Sequence, residues 1–481
     1  MEFIELADYP LPSGRVIEWL PTATSHWADW PRDTRAVSYN HEHHLRDAVE
    51  HSRIRDRRHY WLGHAFRIDG PLDPQAWRTA LDAWIDRHEG LRSHVAIEGG
   101  QPARYTLPPG EIRVQPVDAG APTSTMATYR LVNSLLDDGT SPLRWPSYVC
   151  VTIAGRAGVT VIFAADHSIM DGYSSVSTSG ELLALYNAAR SGEPAQLRDT
   201  GSYVDFSQDE RIRAAATTAD HPAVDTWRTF FLEDTYSDRP AGTLSRVAAA
   251  PIDLVDTAET PRRAPQRTLS VEVLDADAAD AAARIAREHG QGLFALLLAA
   301  FAVTTTELGA GRDFRTVIPL HTRSDPQWAE TLGWFVGLAP FQLDCGAART
   351  LAELIRPAGE ELRRTNGAAT VPFARVCELL GAQPSISFMV SYMDIRSAPC
   401  AATWTETGTC CLRSSNVSTN EFYFWIARTP LGVTLNMRYP GTTKATRDVH
   451  RHVLRMRDLL AELTRYGDAR IRPIEGAPLS W

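Results

Sequence analysis

The chain contains no run of about 18 consecutive apolar residues, no C-x-x-C pair and no excess of basic residues, and each absence removes a class of function. Without the long apolar run there is no candidate for a single membrane-spanning helix. The start, Met1-Glu2-Phe3-Ile4-Glu5, also lacks the basic segment and apolar core of a secretory signal. A cytoplasmic protein is therefore expected. Lys and Arg number 49 against 58 Asp and Glu, a net charge of -9, which argues against nucleic acid or an anionic membrane as partner. The six cysteines, Cys150, Cys345, Cys377, Cys400, Cys410 and Cys411, lack the paired spacing of a zinc site and are expected as reduced thiols. No G-x-S-x-G elbow surrounds a serine, which disfavours a hydrolase with a covalent serine intermediate.

What is present is a 481-residue chain with 44% hydrophobic residues, enough for two lobes of about 200 residues each. Its most informative segment is Ala165-Asp166-His167-Ser168-Ile169-Met170-Asp171-Gly172. The preceding Val159-Thr160-Val161-Ile162-Phe163-Ala164 reads as a buried strand that delivers His167 onto a turn. An imidazole titrates near neutrality and can take a proton from a hydroxyl or amine. Asp171 can fix the local geometry, and Gly172 permits a tight turn. The competing reading is a satisfied core histidine that meets an aspartate by chance.

Along the chain, residues 1–35 are rich in Pro and Trp without a clear period and read as an arm. Ser38 is a plausible N-cap for a helix through Leu45. The nearby His41, His43, His44 and His51 lack the spacing of a metal site and read as a solvated helix face. Strand signals at Trp61 to Ile68, Val149 to Ile153 and Val159 to Ala164 alternate with helix signals at Ala76 to His88 and Gly180 to Ala189. From about Arg190 to Gln266 the composition shifts to Ala, Asp, Thr, Pro and Arg, as a connection between lobes would. The second half repeats the grammar, with strands at Thr268 to Val273, Arg315 to Leu320, Ser385 to Tyr392 and Val433 to Tyr439. Helices are expected at Ala276 to Glu288, Leu293 to Thr306 and Thr446 to Leu463. The class is mixed α/β (α+β), divided as a lobe over 1–200, a connection over 201–265 and a second lobe over 266–481.

Several of these stretches together resemble the condensation-domain superfamily of thioester-dependent acyltransferases. Arg87-His88-Glu89-Gly90-Leu91-Arg92 is similar to its RHxxLR stretch, Asp166 to Gly172 to HHxxxDG except at the first His, and Gly333-Trp334-Phe335-Val336 to the start of GxFVN. Ser38-Tyr39 with His44-Leu45-Arg46, Gly337-Leu338 and Val371-Pro372-Phe373 look most like the actinobacterial polyketide-associated acyltransferases, which resemble stand-alone condensation domains. The resemblance implies two chloramphenicol-acetyltransferase-like lobes in a V-shaped pseudodimer with a central tunnel. It implies esterification of a hydroxyl by an acyl group from coenzyme A or a phosphopantetheinyl carrier protein, with no bound cofactor and no metal. His167 takes the place of the motif's catalytic base, Asp171 a structural place paired with Arg323, and Gly172 a place near the oxyanion. A monomer is sufficient for such a site.

Two positions depart from the pattern. Gly337 stands where many condensation domains have Asn. Asp166 replaces the first motif His, where it either raises the base's proton affinity or ties down a loop. Asp166, Asp171 and Ser174 also satisfy the pattern of heterocyclisation domains. An amide-forming condensation domain and a non-catalytic docking platform are two further readings of the same residues. Arg53, Arg55, Arg57 and Arg58 form a basic run suited to coenzyme A phosphates or an acidic carrier, or else a solvated helix face. Phe335, Phe388, Phe422 and Trp425 are apolar enough to line an acyl site but are ordinary core candidates.

Overall fold

In the computed structural model, residues 2–54, 58–233, 246–247, 264–382, 384–418 and 420–472 are described. The chain divides into two compact units. The first comprises Met1–Ala216, Arg323–Phe335 and Ser397–Asn416; the second comprises Thr217–Thr322, Val336–Arg396 and Val417–Trp481. The boundary expected near residue 200 thus falls at Ala216, and two later segments return to the first unit. Hydrogen bonding explains the returns: Cys410–Arg413 is a strand between Phe3–Glu5 and Trp61–Asp69, and Arg323–Phe335 is held by Asp171.

The first unit is built on a seven-stranded sheet in the order Phe3–Glu5, Cys410–Arg413, Trp61–Asp69, Gly158–Asp166, Tyr148–Ala154, Val16–Ala23, Ile112–Gly120. Residues 1–35 are therefore not simply an arm, because Val16–Ala23 pairs with strands on both sides. Pro21 obscured the strand in the sequence. At the sheet's centre, Gly158–Asp166 is largely apolar and buried, paired along its full length with Trp61–Asp69 and over Val159 to Ala165 with Tyr148–Ala154. The helix Gly172–Ser191 follows it and packs beside Pro74–Arg87. Trp77, Trp84, Phe66 and Phe163 fill the space between helices and sheet.

The stretch similar to RHxxLR is a clamp on the helix that follows the His167 turn. Glu181, 3% exposed, accepts hydrogen bonds from Trp84 Nε1 at 2.7 Å and Arg87 Nε at 3.1 Å, and pairs with His88 Nε2 at 2.6 Å. Arg92 donates to the carbonyls of Ile85 and Leu107, closing the turn beneath it.

The second unit carries a seven-stranded mixed sheet in the order Val336–Asp344, Asp313–His321, Phe388–Asp394, Phe422–Thr429, Gly432–Pro440, Ala264–Asp275, Val417–Ser418. Leu293–Thr305, apolar on every side, is its central helix, and Ala276–Glu288, Ala352–Thr365 and Thr443–Tyr466 surround it. The expected connection is partly helical, with Tyr203–Ala216 in the first unit and Pro222–Glu233 in the second; residues 234–245 and 248–263 of it lie outside the described residues. Among the described residues no single helix is long and apolar enough to cross a membrane.

Gly337 has a local steric reason. A Cβ there would lie 2.0 Å from the Ala369 carbonyl oxygen, backbone that cannot swing away as a side chain can. A side chain at position 337 does not fit this register. Gly337→Ala is expected to destabilise the second unit by about 1–3 kcal/mol through overpacking, read as a lower denaturation midpoint at unchanged slope. An unchanged midpoint would show that Asn366–Thr370 gives way freely.

Candidate active site

His167 sits where the central strand of the first unit ends. Its N–H donates to the Tyr60 carbonyl at 2.9 Å, continuing the pairing with the neighbouring strand by one residue. The chain then turns: Ile169 N–H returns to the Asp166 carbonyl at 3.1 Å, and Ser168 N–H donates to Asp166 Oδ1 at 2.9 Å. Trp334 lies on the imidazole, with ring centroids 4.1 Å apart and planes 27° from parallel. The imidazole is therefore fixed from its backbone and from one face.

His167 Nδ1 is buried and lacks a well-aligned hydrogen-bond partner among the described residues. Burial, and secondarily the charge of His44, hold His167 below the ordinary imidazole value, against smaller opposing effects of its own backbone, Asp166 and Asp171. The ring is thus neutral at pH 7. Of the two ring nitrogens, Nδ1 is the one enclosed without a hydrogen-bond partner.

Asp171 caps the helix Gly172–Ser191 by accepting from Ser174 N–H at 2.7 Å. The same carboxylate accepts from Arg323 Nη2 at 3.0 and 3.1 Å and from Phe335 N–H at 3.0 Å. Arg323 Nη1 donates to the carbonyls of Trp328 and Thr331 at 2.6 and 2.7 Å, and its guanidinium carbon lies 4.2 Å from the Phe335 ring centroid. Ser174 Oγ donates to the Gly333 carbonyl at 3.1 Å and accepts from Arg323 at 3.0 Å. Asp171 and Arg323, expected as partners, are brought together, and their network fixes the segment that carries Trp334. Gly172 opens the helix, where first-turn N–H groups lack intrahelical acceptors.

Asp166 is 1% exposed and its Oδ2 lies 3.0 Å from His44 Nε2. Burial favours its neutral form, but His44 and Ser168 more than offset this and hold the carboxyl below its usual range. Of the two roles open to Asp166, the loop tether is the one its hydrogen bonds describe. Asp166, Asp171 and Ser174, the residues of the heterocyclisation pattern, are each hydrogen-bonded within the first unit.

The sequence reasoning missed Trp334, Tyr60 and the partnership of His44. Trp334 stands in the Gly333-Trp334-Phe335-Val336 string, and its adjacency to a recognised motif was the available signal. The four histidines divide: His41 and His44 are buried, 6% and 9% exposed, whereas His43 is exposed and His51 half-buried. The solvated-face expectation fails for His41 and His44 because the helix Tyr39–Arg53 turns them inward. Phe335 packs with Tyr203, Phe206 and Trp328, while Phe388 and Phe422 belong to the second unit's core. Of the basic run, Arg53 pairs with Glu50, Arg58 reaches the Tyr60 hydroxyl, and Arg55 and Arg57 lie outside the described residues. All six cysteines are unpaired thiols.

Residues 51–475 match the sequence model of the condensation domain. Over 480 residues the chain is 24% identical to acyltransferase PapA3 of Mycobacterium tuberculosis, spanning 96% of each. It is also 24% identical over 418 residues to the 2'-acyl-2-O-sulfo-trehalose (hydroxy)phthioceranyltransferase PapA1 of Mycobacterium bovis, covering 84% of this chain and 76% of that one. Among solved structures, PapA2 acyl transferase superposes with a TM-score of 0.85 at 21% identity, covering 96% of this chain and 100% of that one. The first condensation domain of the calcium-dependent antibiotic synthetase gives 0.66 at 19%, covering 94% and 100%. These structural likenesses bear on the fold, which is the chloramphenicol-acetyltransferase-like one that the motifs implied.

Proposed function

Because the chain belongs to the condensation-domain family, we propose that it is a thioester-dependent acyltransferase in which His167 is the general base. The acyl group comes from coenzyme A or a phosphopantetheinyl carrier protein, and the acceptor is a hydroxyl, so that the product is an ester. The observation that carries this reading is the state of His167: neutral, held by its backbone and by Trp334, with Nδ1 enclosed. The relatives support the reaction class, since PapA3 and PapA2 are named as acyl transferases and PapA1 as a (hydroxy)phthioceranyltransferase. PapA1's name specifies a sulfated, acylated trehalose, which makes sugar and polyol hydroxyls the first acceptors to try.

In this mechanism Nε2 of His167 takes the acceptor's hydroxyl proton as the oxygen attacks the thioester carbonyl carbon. The tetrahedral intermediate carries its charge on the former carbonyl oxygen, near the first-turn N–H groups of the helix that Gly172 opens. Collapse reforms the carbonyl and breaks the carbon–sulfur bond, and the thiolate recovers the proton from His167. No acyl-enzyme forms, and no cofactor beyond the donor takes part.

The test is to incubate the protein with a panel of acyl-coenzyme A donors and pooled polyol and amine acceptors, following thiol release and product mass. Acceptor-dependent release with ester masses is the expected result, and Asp166→Asn retains a share of it. Amide masses would replace the ester reading. Silence with both free and carrier-loaded donors would overturn acyl transfer in favour of a docking role.

A further inference from the structure

His44 takes no part in the proposed reaction, yet it is a buried ionisable group in contact with both supports of the base. It lies on the helix Tyr39–Arg53, whose N-cap Ser38 is anchored to the Tyr203 hydroxyl at 3.0 Å. Its Nε2 meets Asp166 Oδ2 at 3.0 Å, while Asp166 Oδ1 holds the Ser168 N–H of the turn. Its ring stands edge-on to Trp334 at 5.8 Å and to Tyr60 at 5.5 Å. Trp334 is stacked on His167, and Tyr60 accepts the His167 N–H.

A carboxylate one residue before a catalytic base poses a problem. In a low-dielectric site its charge favours the protonated imidazole, which cannot act as a base, and a buried carboxylate without a partner is itself costly. A cation bonded to that carboxylate removes both difficulties. We propose that His44 is a positioning residue for His167: paired with Asp166, it cancels the carboxylate beside the base and backs the Trp334 ring that holds the imidazole. Asp166 stands at the place of the first histidine of the family motif, and the proposal rests on His167 being the general base.

The surrounding charges agree. His44 faces Asp166 from the strand's end, Asp47 and His41 from its own helix, and His167 beyond Trp334; His167 faces His44, Asp166 and Asp171. Burial lowers the proton affinity of His44, but Asp166 by charge and hydrogen bond, with Asp47 behind it, leaves it above the ordinary imidazole value. Asp166 is shifted the opposite way, each favouring the charged form of the other.

The test reads His167 directly and needs no substrate. The rate of His167 carbethoxylation by diethyl pyrocarbonate is followed against pH by peptide mass spectrometry, in wild type, His44→Gln, Asp166→Asn and the double variant. His44→Gln is expected to move the His167 midpoint up by about one pH unit, because Asp166 is left uncompensated. Asp166→Asn and the double variant are expected to stay within about half a unit of wild type: without the carboxylate, burial leaves His44 neutral, so either variant takes away both charges together. An unshifted midpoint in His44→Gln, or a shift that Asp166→Asn does not reverse, overturns the proposal. Should His44→Gln not fold, a fall of one unit in Asp166→Asn alone overturns it, since the carboxylate was then acting uncancelled. Failure of the acyl-transfer reading would appear separately, as midpoints that move as stated in a protein with no turnover.

Discussion

Turnover by the His167→Ala variant is expected to fall about 10²- to 10⁴-fold, the usual contribution of a positioned general base. Stability should change little, because the His167 backbone bond to Tyr60 survives the substitution and only the stack on Trp334 is lost. The wild-type pH profile supplies an independent check. A base whose proton affinity is lowered is ionised, and inactive, only at acid pH, so kcat/KM should rise through a midpoint below 6.5 and then level. His167→Ala should lose that limb along with its rate. A variant that retains wild-type turnover, or a wild-type limb centred well above 6.5, would remove His167 from the role of base. The same experiment separates basicity from bulk: His167→Gln, which fills part of the space but offers no basic nitrogen, should be as slow as alanine.

Much of this site was legible in the sequence, and the reasons for what was not are physical. The strand ending at Asp166 is a continuous apolar run because both of its faces are covered, and that pattern needs no tertiary information. Asp171 could be read as a structural partner of Arg323 only through family resemblance, since 152 residues separate them and no local period links them. His44 was hidden for the same reason. Its helix is strongly polar overall, and only the tertiary approach of the Asp166 turn, 122 residues away, makes the inward histidines intelligible. Val16–Ala23 was unread because Pro21 interrupts its pattern and its partners lie about 100 residues on. Likewise, no composition signal announces that Cys410–Arg413 returns to the first unit's sheet: a four-residue buried strand carries too little pattern to be assigned.

The largest stability effect is expected at the Asp171–Arg323 pair. Both side chains are almost fully enclosed, at 2% and 5% exposure, so removing one leaves the other as a buried charge without its partner. Arg323→Met is expected to cost about 3–5 kcal/mol for that reason. Asp171→Ala adds the loss of a helix cap, about 1 kcal/mol, to a comparable penalty. The combined Asp171→Asn, Arg323→Met variant should cost clearly less than the sum of its parts, because it removes the pair as a unit and Asn still accepts from Ser174. Denaturant midpoints for the three variants measure this, and additive costs would show that the two residues stabilise the fold independently. The consequence reaches the chemistry through a short chain of bonds. Arg323 ties down the Trp328 and Thr331 carbonyls, and Asp171 holds the Phe335 N–H, so both ends of the segment bearing Trp334 depend on the pair. A pair-broken variant that still folds should therefore lose rate beyond its loss of stability, because the ring that holds His167 in place is no longer fixed.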